Sequence, residues 1–239
     1  MVLMFTYLVT ALTNTEDINY IQGLLKNETV GYEIIDQGNS FCVIRNIGGM
    51  VEAFNSIMKR LITVLISMSE ECERGLEEGN IALIKSTVAL EKSNNKFTTL
   101  CRRYLNKKGD PEKREVGPLY FIIENMEKIA DEYKYLALAV SENNGKKLRA
   151  DKDVLEIVNK QSVALNAFYE GFYSKDNKKF VIISELRKQV IMKWHDMLPK
   201  FKNHIDILIM HHSVVIIQKI FELVGPAIII NTKANQKIN

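Results

Sequence analysis

The chain has 239 residues and a mass of 27.4 kDa, enough for one or two domains with a core that needs neither metal nor disulfide support. Apolar residues at 46% and charged residues at 26% exclude a disordered chain, and 12 Gly with 4 Pro exclude a loop-rich one. A net charge of +3 lacks the basic excess of a chain built to neutralise a nucleic-acid backbone, so no direct nucleic-acid binding is expected.

Residues 1–12 are apolar with no basic lead-in, and they precede Asn14, Thr15, Glu16 and Asp17 instead of a small-residue cleavage site. They are expected to form a buried strand over residues 4–11. Thr15, Glu16 and Asp17 open a helix carrying Ile18, Ile21 and Leu24. Two β-rich runs follow, residues 30–36 and 41–47, separated by Gln37, Gly38, Asn39 and Ser40 in the manner of a hairpin. Residues 1–48 therefore form a small β-α-β-β module.

From Gly49 onward the apolar period changes to about 3.5. Phe54, Met58, Leu61, Leu65, Met68 and Cys72 step by alternating fours and threes, which places them on one stripe of a long helix. Leu83, Thr87, Leu90, Asn94, Phe97, Cys101 and Tyr104 predict a second helix ending near Gly109, Asp110 and Pro111. Leu119, Ile123, Met126, Ala130, Tyr133, Ala137 and Val140 predict a third, ending near Asn143, Asn144 and Gly145. Short connections make these an antiparallel three-helix bundle over residues 49–147.

Residues 148–228 repeat the plan less cleanly. Val154, Val158, Leu165, Phe168 and Phe172 mark one helix, and Leu186, Val190, Trp194 and Met197 the next, with Trp194 as a bundle anchor. Pro199 divides that helix from a last one over residues 201–223, whose apolar tract is interrupted by Asp206, His211, His212, Gln218, Lys219 and Glu222 and so reads as a bundle helix, not a membrane span. Gly225 and Pro226 then predict a stop, with residues 229–239 as a flexible tail. The fold class is mainly α: two tandem three-helix bundles, spaced by about 95 residues, behind a small α/β module.

Glu127 and Asp131 lie four residues apart and hence on one helix face, and Glu91 and Asn95 have the same spacing on the preceding helix. If those helices are antiparallel neighbours, four oxygen-bearing side chains converge. Such a set suits Mg, Mn, Fe or Zn, and the same spacing also occurs on plain solvated helix faces. His204, His211 and His212 invite a metal reading too, but no histidine follows a Glu by three residues, so a di-iron oxidase site is not expected. The basic cluster Arg102, Arg103, Lys107 and Lys108 fits a helix C-terminus. No phosphate-binding Gly-rich loop and no nucleophile elbow is present, so nucleotide hydrolysis and acyl transfer lack their parts and no enzyme is expected. Cys42, Cys72 and Cys101 form no Cys-x-x-Cys pair and suit a reducing cytoplasm.

Residues 125–140, with Glu127 and Asp131 in the Glu-x-x-x-Asp arrangement, resemble the signature that ends each three-helix repeat of PhoU phosphate-uptake regulators. Glu91, Asn95, Lys96 and Phe97, followed by Cys101, Arg102 and Arg103, look like the preceding helix of the archaeal members. Residues 31–37 look like the linker that joins an AbrB-like hairpin to the helices in archaeal proteins of AbrB-PhoU type. The resemblance implies a cytoplasmic, non-catalytic negative regulator of phosphate uptake and phosphate homeostasis. It also implies metal bound by Glu91, Asn95, Glu127 and Asp131, a homo-oligomer such as a dimer, and contact with the ATPase of a phosphate ABC transporter or another regulatory protein, reaching the membrane only through that partner. The chain is expected to begin inside the linker and so to lack the AbrB-like hairpin. The last helix places Met210 four residues after Asp206, so a second metal cluster is not expected. The alternative role is a transcriptional regulator subunit acting with an AbrB-type DNA-binding partner.

Overall fold

The computed structural model describes residues 6–10, 15–28, 32–38, 41–46, 54–109, 116–142, 150–201 and 203–236. At the N-terminus β1 (Thr6–Thr10), α1 (Thr15–Glu28), β2 (Tyr32–Gln37) and β3 (Phe41–Asn46) form an antiparallel three-stranded sheet in the order β1-β3-β2. At the hairpin the Gly38 N–H donates to the Phe41 carbonyl at 2.9 Å. Asn39 and Ser40 lie outside the described residues. The expectation that the first strand is buried does not hold: β1 is an edge strand, with Tyr7 50% and Leu8 65% exposed, while Cys42 on the central strand is fully buried. An edge strand of a three-stranded sheet has a single strand neighbour, and the main contacts of α1 are with β2 and with the later helix of residues 81–108.

The helices follow as α2 (Phe54–Glu78), α3 (Ile81–Lys108), α4 (Val116–Ser141), α5 (Lys152–Ser174), α6 (Lys179–Met197), α7 (His204–Glu222) and α8 (Val224–Gln236). A single 3-10 turn over Leu198–Lys200 holds Pro199 at the break between α6 and α7. All six seam residues expected on α2, and all seven expected on α4, are buried. The expected stripe of α5 is buried as well. On α6, Val190 and Met197 are buried, while Leu186 and Trp194 are partly so. The Trp194 and Phe201 rings lie 5.9 Å apart.

Within the first bundle α3 packs on α2 and α4, and within the second α6 packs on α5 and α7. The bundles then meet element for element, α2 on α5 and α4 on α7, so the four helices α2, α4, α5 and α7 form a central layer with α3 and α6 on its flanks. One continuous cluster of buried apolar side chains runs through both triplets, from Phe54 and Leu65 through Tyr133 to Phe168 and Ile217.

The expected spacing between halves has a local structural counterpart. Gly75 near the end of α2 lies so close to α3 that an added Cβ would sit 2.5 Å from Ile84, and Gly171 near the end of α5 stands in the same way 2.7 Å from Phe180. The positive-φ residues after these helices are Gly79 (φ 69°) and Lys175 (φ 57°). Each member of the second set lies 96 residues after its counterpart.

One stripe and one helix end differ from expectation. On α3 the expected Thr87, Asn94 and Cys101 are buried, but the other four positions are off by one: Ile84, Glu91, Thr98 and Leu105 are buried, whereas Leu83, Leu90, Phe97 and Tyr104 are only partly so. The stop expected at Gly225 and Pro226, and the flexible tail over 229–239, give way to α8. Pro226 occupies the first turn, where a missing N–H breaks no intrahelical bond. Ala227 N–H donates to the Leu223 carbonyl at 3.1 Å, and buried Asn231 donates to the Gly171 carbonyl at 3.1 Å and to Asn177 Oδ1 at 2.9 Å. Residues 237–239 lie outside the described residues.

The span His204–Thr232 contains an 18-residue window of mean hydropathy 1.9 and is long enough to cross a membrane. Part of its apolar surface has partners within the chain: Ile209, Met210, Ile216, Ile217 and Ile220 of α7 are buried, and α7 packs on α4, α5 and α6, while Ile228 and Ile229 are exposed.

Candidate functional site on the face of α3 and α4

The antiparallel packing of α3 on α4 brings the four sequence-predicted residues onto one pair of neighbouring helices. Glu91 belongs to the buried stripe of α3, its side chain only 6% exposed, and an anion there needs partners. Asn95, one turn on, donates from Nδ2 to Glu91 Oε1 at 2.7 Å. Lys134 of α4 donates to the same oxygen at 2.9 Å and to Asp131 Oδ1 at 2.6 Å. One ammonium thus bridges two of the expected ligands.

Glu127 lies beyond that cluster and has its own cation. Arg102 of α3 reaches across the helix pair, to Glu127 Oε2 at 2.5 Å and to Glu124 Oε1 at 2.9 Å. The basic end of α3, expected to serve the helix dipole, therefore divides its labour: Arg102 bridges carboxylates on α4, while Arg103 stacks 4.7 Å from the Tyr32 ring centroid and donates to the Tyr32 hydroxyl, tying the sheet to the helices. Partial burial pulls the Lys134 ammonium towards neutrality, but the hydrogen bonds and charges of Asp131 and Glu91 outweigh it and raise its pKa above the ordinary lysine value. Lys134 is a fixed cation at any physiological pH.

Lys134 pairs with Glu91 and Asp131, and Arg102 with Glu124 and Glu127, and among the described residues no group of three or more His, Cys, Asp or Glu is arranged to hold an ion. The histidines give no metal set either: His212 Nδ1 pairs with Glu132 Oε2 at 2.9 Å, and His204 and His211 are exposed. Asn94 is fully buried; its Oδ1 receives the Thr98 hydroxyl at 3.3 Å, while its Nδ2 has no partner among the described residues.

Sequence reasoning missed a second polar cluster, where the two halves meet. Ser69 of α2 and Ser162 of α5 share a 2.6 Å hydrogen bond inside the core. Ser162 also donates to Glu73 at 3.0 Å, and Asn159 donates to the other oxygen of Glu73 at 2.7 Å. The Tyr133 hydroxyl of α4 donates to Gln161 at 2.9 Å, and burial holds that phenol far above its usual range. The signal available was polar residues on otherwise apolar stripes of α2 and α5, which calls for partners across the seam.

No family model and no curated protein sequence matches the chain. Among solved structures, the phosphate transport system regulatory protein PhoU from Streptococcus pneumoniae superimposes with a TM-score of 0.56 at 13% sequence identity, covering 74% of this chain and 89% of that one. At that identity the likeness establishes the fold: a mainly helical bundle of the PhoU kind.

Proposed function

We propose that this chain is a cytoplasmic, non-catalytic regulator of phosphate uptake that acts by protein contact. The observation that carries the reading is the shared architecture, which spans most of a protein described as a phosphate transport regulator. The local resemblance at Glu127 and Asp131 supports it independently of the overall shape. On this reading the α3–α4 face is a charged, preorganised surface: its carboxylates are fixed by Lys134 and Arg102, so their directions are set before a partner arrives. The partner is the ATPase subunit of a phosphate transporter, and rim charges of this kind govern how fast and how selectively such a contact forms. This reading does not require metal, since the chain's own Lys134 and Arg102 pair with these carboxylates.

Deleting the gene in its source organism should raise phosphate uptake by phosphate-replete cells, and supplying the chain in trans should lower it again. Uptake that follows neither change overturns the reading. Capture of the transporter ATPase by the purified chain, weakened by Glu124→Lys and Glu127→Lys, would locate the contact on this face.

A further inference from the structure

We infer that the free edge of β1 is a self-association surface, on which β1 of a second copy pairs antiparallel about a two-fold axis through Leu8 and turns two three-stranded sheets into one of six strands. The sheet order leaves two edges, β1 and β2, and the chain treats them differently. An open edge displays unpaired backbone donors and acceptors, and proteins guard such edges with bulges, charges or a covering helix. β2 has a break in its register against β3 between Ile34 and Asp36, an exposed acid in Asp36, and α1 packed on it. Among the described residues β1 has neither a register break nor a charge. Its register against β3 is unbroken from Thr6 to Thr10, its five residues Thr-Tyr-Leu-Val-Thr carry no charge and no proline, and Tyr7 and Leu8 are exposed.

The sequence of β1 selects a copy of itself as the occupant. Reversed about Leu8, the strand sets Thr6 against Thr10, Tyr7 against Val9 and Leu8 against Leu8. Threonine pairs and aromatic with β-branched pairs are among the favourable cross-strand combinations, and no like charges meet. Two-fold pairing is also closed: each β1 edge is used up by its partner, and the guarded β2 edges then stop further growth. On one face of the sheet Leu8 stands opposite Val43, with Phe41 and Arg45 two residues to either side, so the joined sheet brings Leu8 and Val43 of both copies together across the axis.

Light scattering during gel filtration should give twice the 27.4 kDa chain mass for the unmodified protein. Leu8→Lys, which sets two ammonium groups face to face at the axis, should give the monomer mass. Leu8 is exposed, so the variant keeps its core and its helical circular dichroism. Leu8→Cys should cross-link to a dimer on mild oxidation, whereas Tyr7→Cys, which faces Val9 of the other copy, should not. A monomeric unmodified protein overturns the proposal and leaves the edge to a strand from a different chain. A dimer that survives Leu8→Lys, or a Leu8→Cys dimer that fails to cross-link, also overturns it by placing the contact elsewhere.

Discussion

Replacing Lys134 with methionine removes the cation between α3 and α4 while keeping most of the side-chain volume. Its ammonium holds Glu91 Oε1 at 2.9 Å and Asp131 Oδ1 at 2.6 Å, with the three side chains 22%, 6% and 32% exposed. Breaking a fully buried pair costs about 3–5 kcal/mol, and an exposed pair is worth about 0.2–1 kcal/mol. Glu91 belongs near the first limit and Asp131 near the second. Asn95 still donates to Glu91 after the change, and the methionine stem keeps its packing. The expected loss is therefore about 2 kcal/mol, or about 4–8 °C in Tm for a chain of this size. Urea denaturation of Lys134→Met, Glu91→Gln and the double variant measures it, and the double variant should lose less than the sum because Glu91→Gln leaves no charge stranded in the interior. A loss under about 0.5 kcal/mol would refute the claim that this ammonium anchors α3. The same samples test the metal alternative: Mn²⁺ and chelator should leave the Tm of the unmodified protein unchanged, since an ion that binds only the native state would raise it. Because the Lys134 pKa is raised, its contribution is fully present below the ordinary lysine value of 10.5 and fades only as alkaline pH passes the higher native value.

Lys175 adopts a left-handed conformation that glycine holds at the matching Gly79, so Lys175→Gly should stabilise the protein and Gly79→Ala destabilise it, each by about 1 kcal/mol in urea denaturation; equal stability of all three proteins would show that the two turns are unstrained. The buried thiols of Cys72 and Cys101 are pushed up to about 12 by burial, so at pH 8 neither should react with a disulfide reagent until the chain unfolds, and rapid labelling of either in the native protein contradicts the packing. Asp206 is buried at the start of α7; desolvation, with the nearby Asp151 charge, raises its carboxyl pKa above 3.8, so the native state holds that proton more tightly than the unfolded chain. The stability it contributes is full below pH 3.8 and is lost as pH rises through the native value. Asp206→Asn should thus gain on the unmodified protein between pH 4 and pH 7, and a constant difference across that range would refute it.

What was legible in the sequence tracks how a residue finds its energy. The stripes of α2, α4 and α5 are apolar at helical spacing, so burial was written in the residues themselves, and Leu61, Met126 and Phe168 sit where the pattern placed them. The stripe of α3 was ambiguous. Two choices share Thr87, Asn94 and Cys101 and differ by one position at the rest, and hydrophobicity favoured Leu83, Leu90 and Phe97 over Ile84, Glu91 and Thr98. The buried set won because Glu91 meets a cation on another helix, a fact no window along α3 contains. The carboxylate pairs were likewise read without their counterions. Asp131 with Lys134 was visible at a spacing of three, and Arg102 follows Glu91 along α3 just as Glu127 and Glu124 precede Lys134 along α4, so antiparallel packing alone would have matched cation to anion. The helix past Pro226 was missed because a breaker pair was weighed without asking whether the proline falls in a first turn.

The polar stripe of α3 also bears on the proposed function. Two halves built on one plan differ at their flanking helices: α3 offers Thr87, Glu91, Asn94 and Thr98 to its neighbours, whereas α6 offers Phe180, Ile183, Val190 and Met197. Apolar burial is indifferent to direction, but hydrogen bonds and ion pairs fix register, and an unmade one in the interior is costly. Glu91 to Lys134 and Arg102 to Glu124 and Glu127 therefore set how far α3 can slide along α4, and that register fixes the spacing of the carboxylates on the outer face. A partner that reads those charges reads a pattern held by the chain's own cations. On the proposed function, a metal that altered the contact would have to displace an amine already bound at 2.6 Å, and the charge pattern itself is the proposed recognition element.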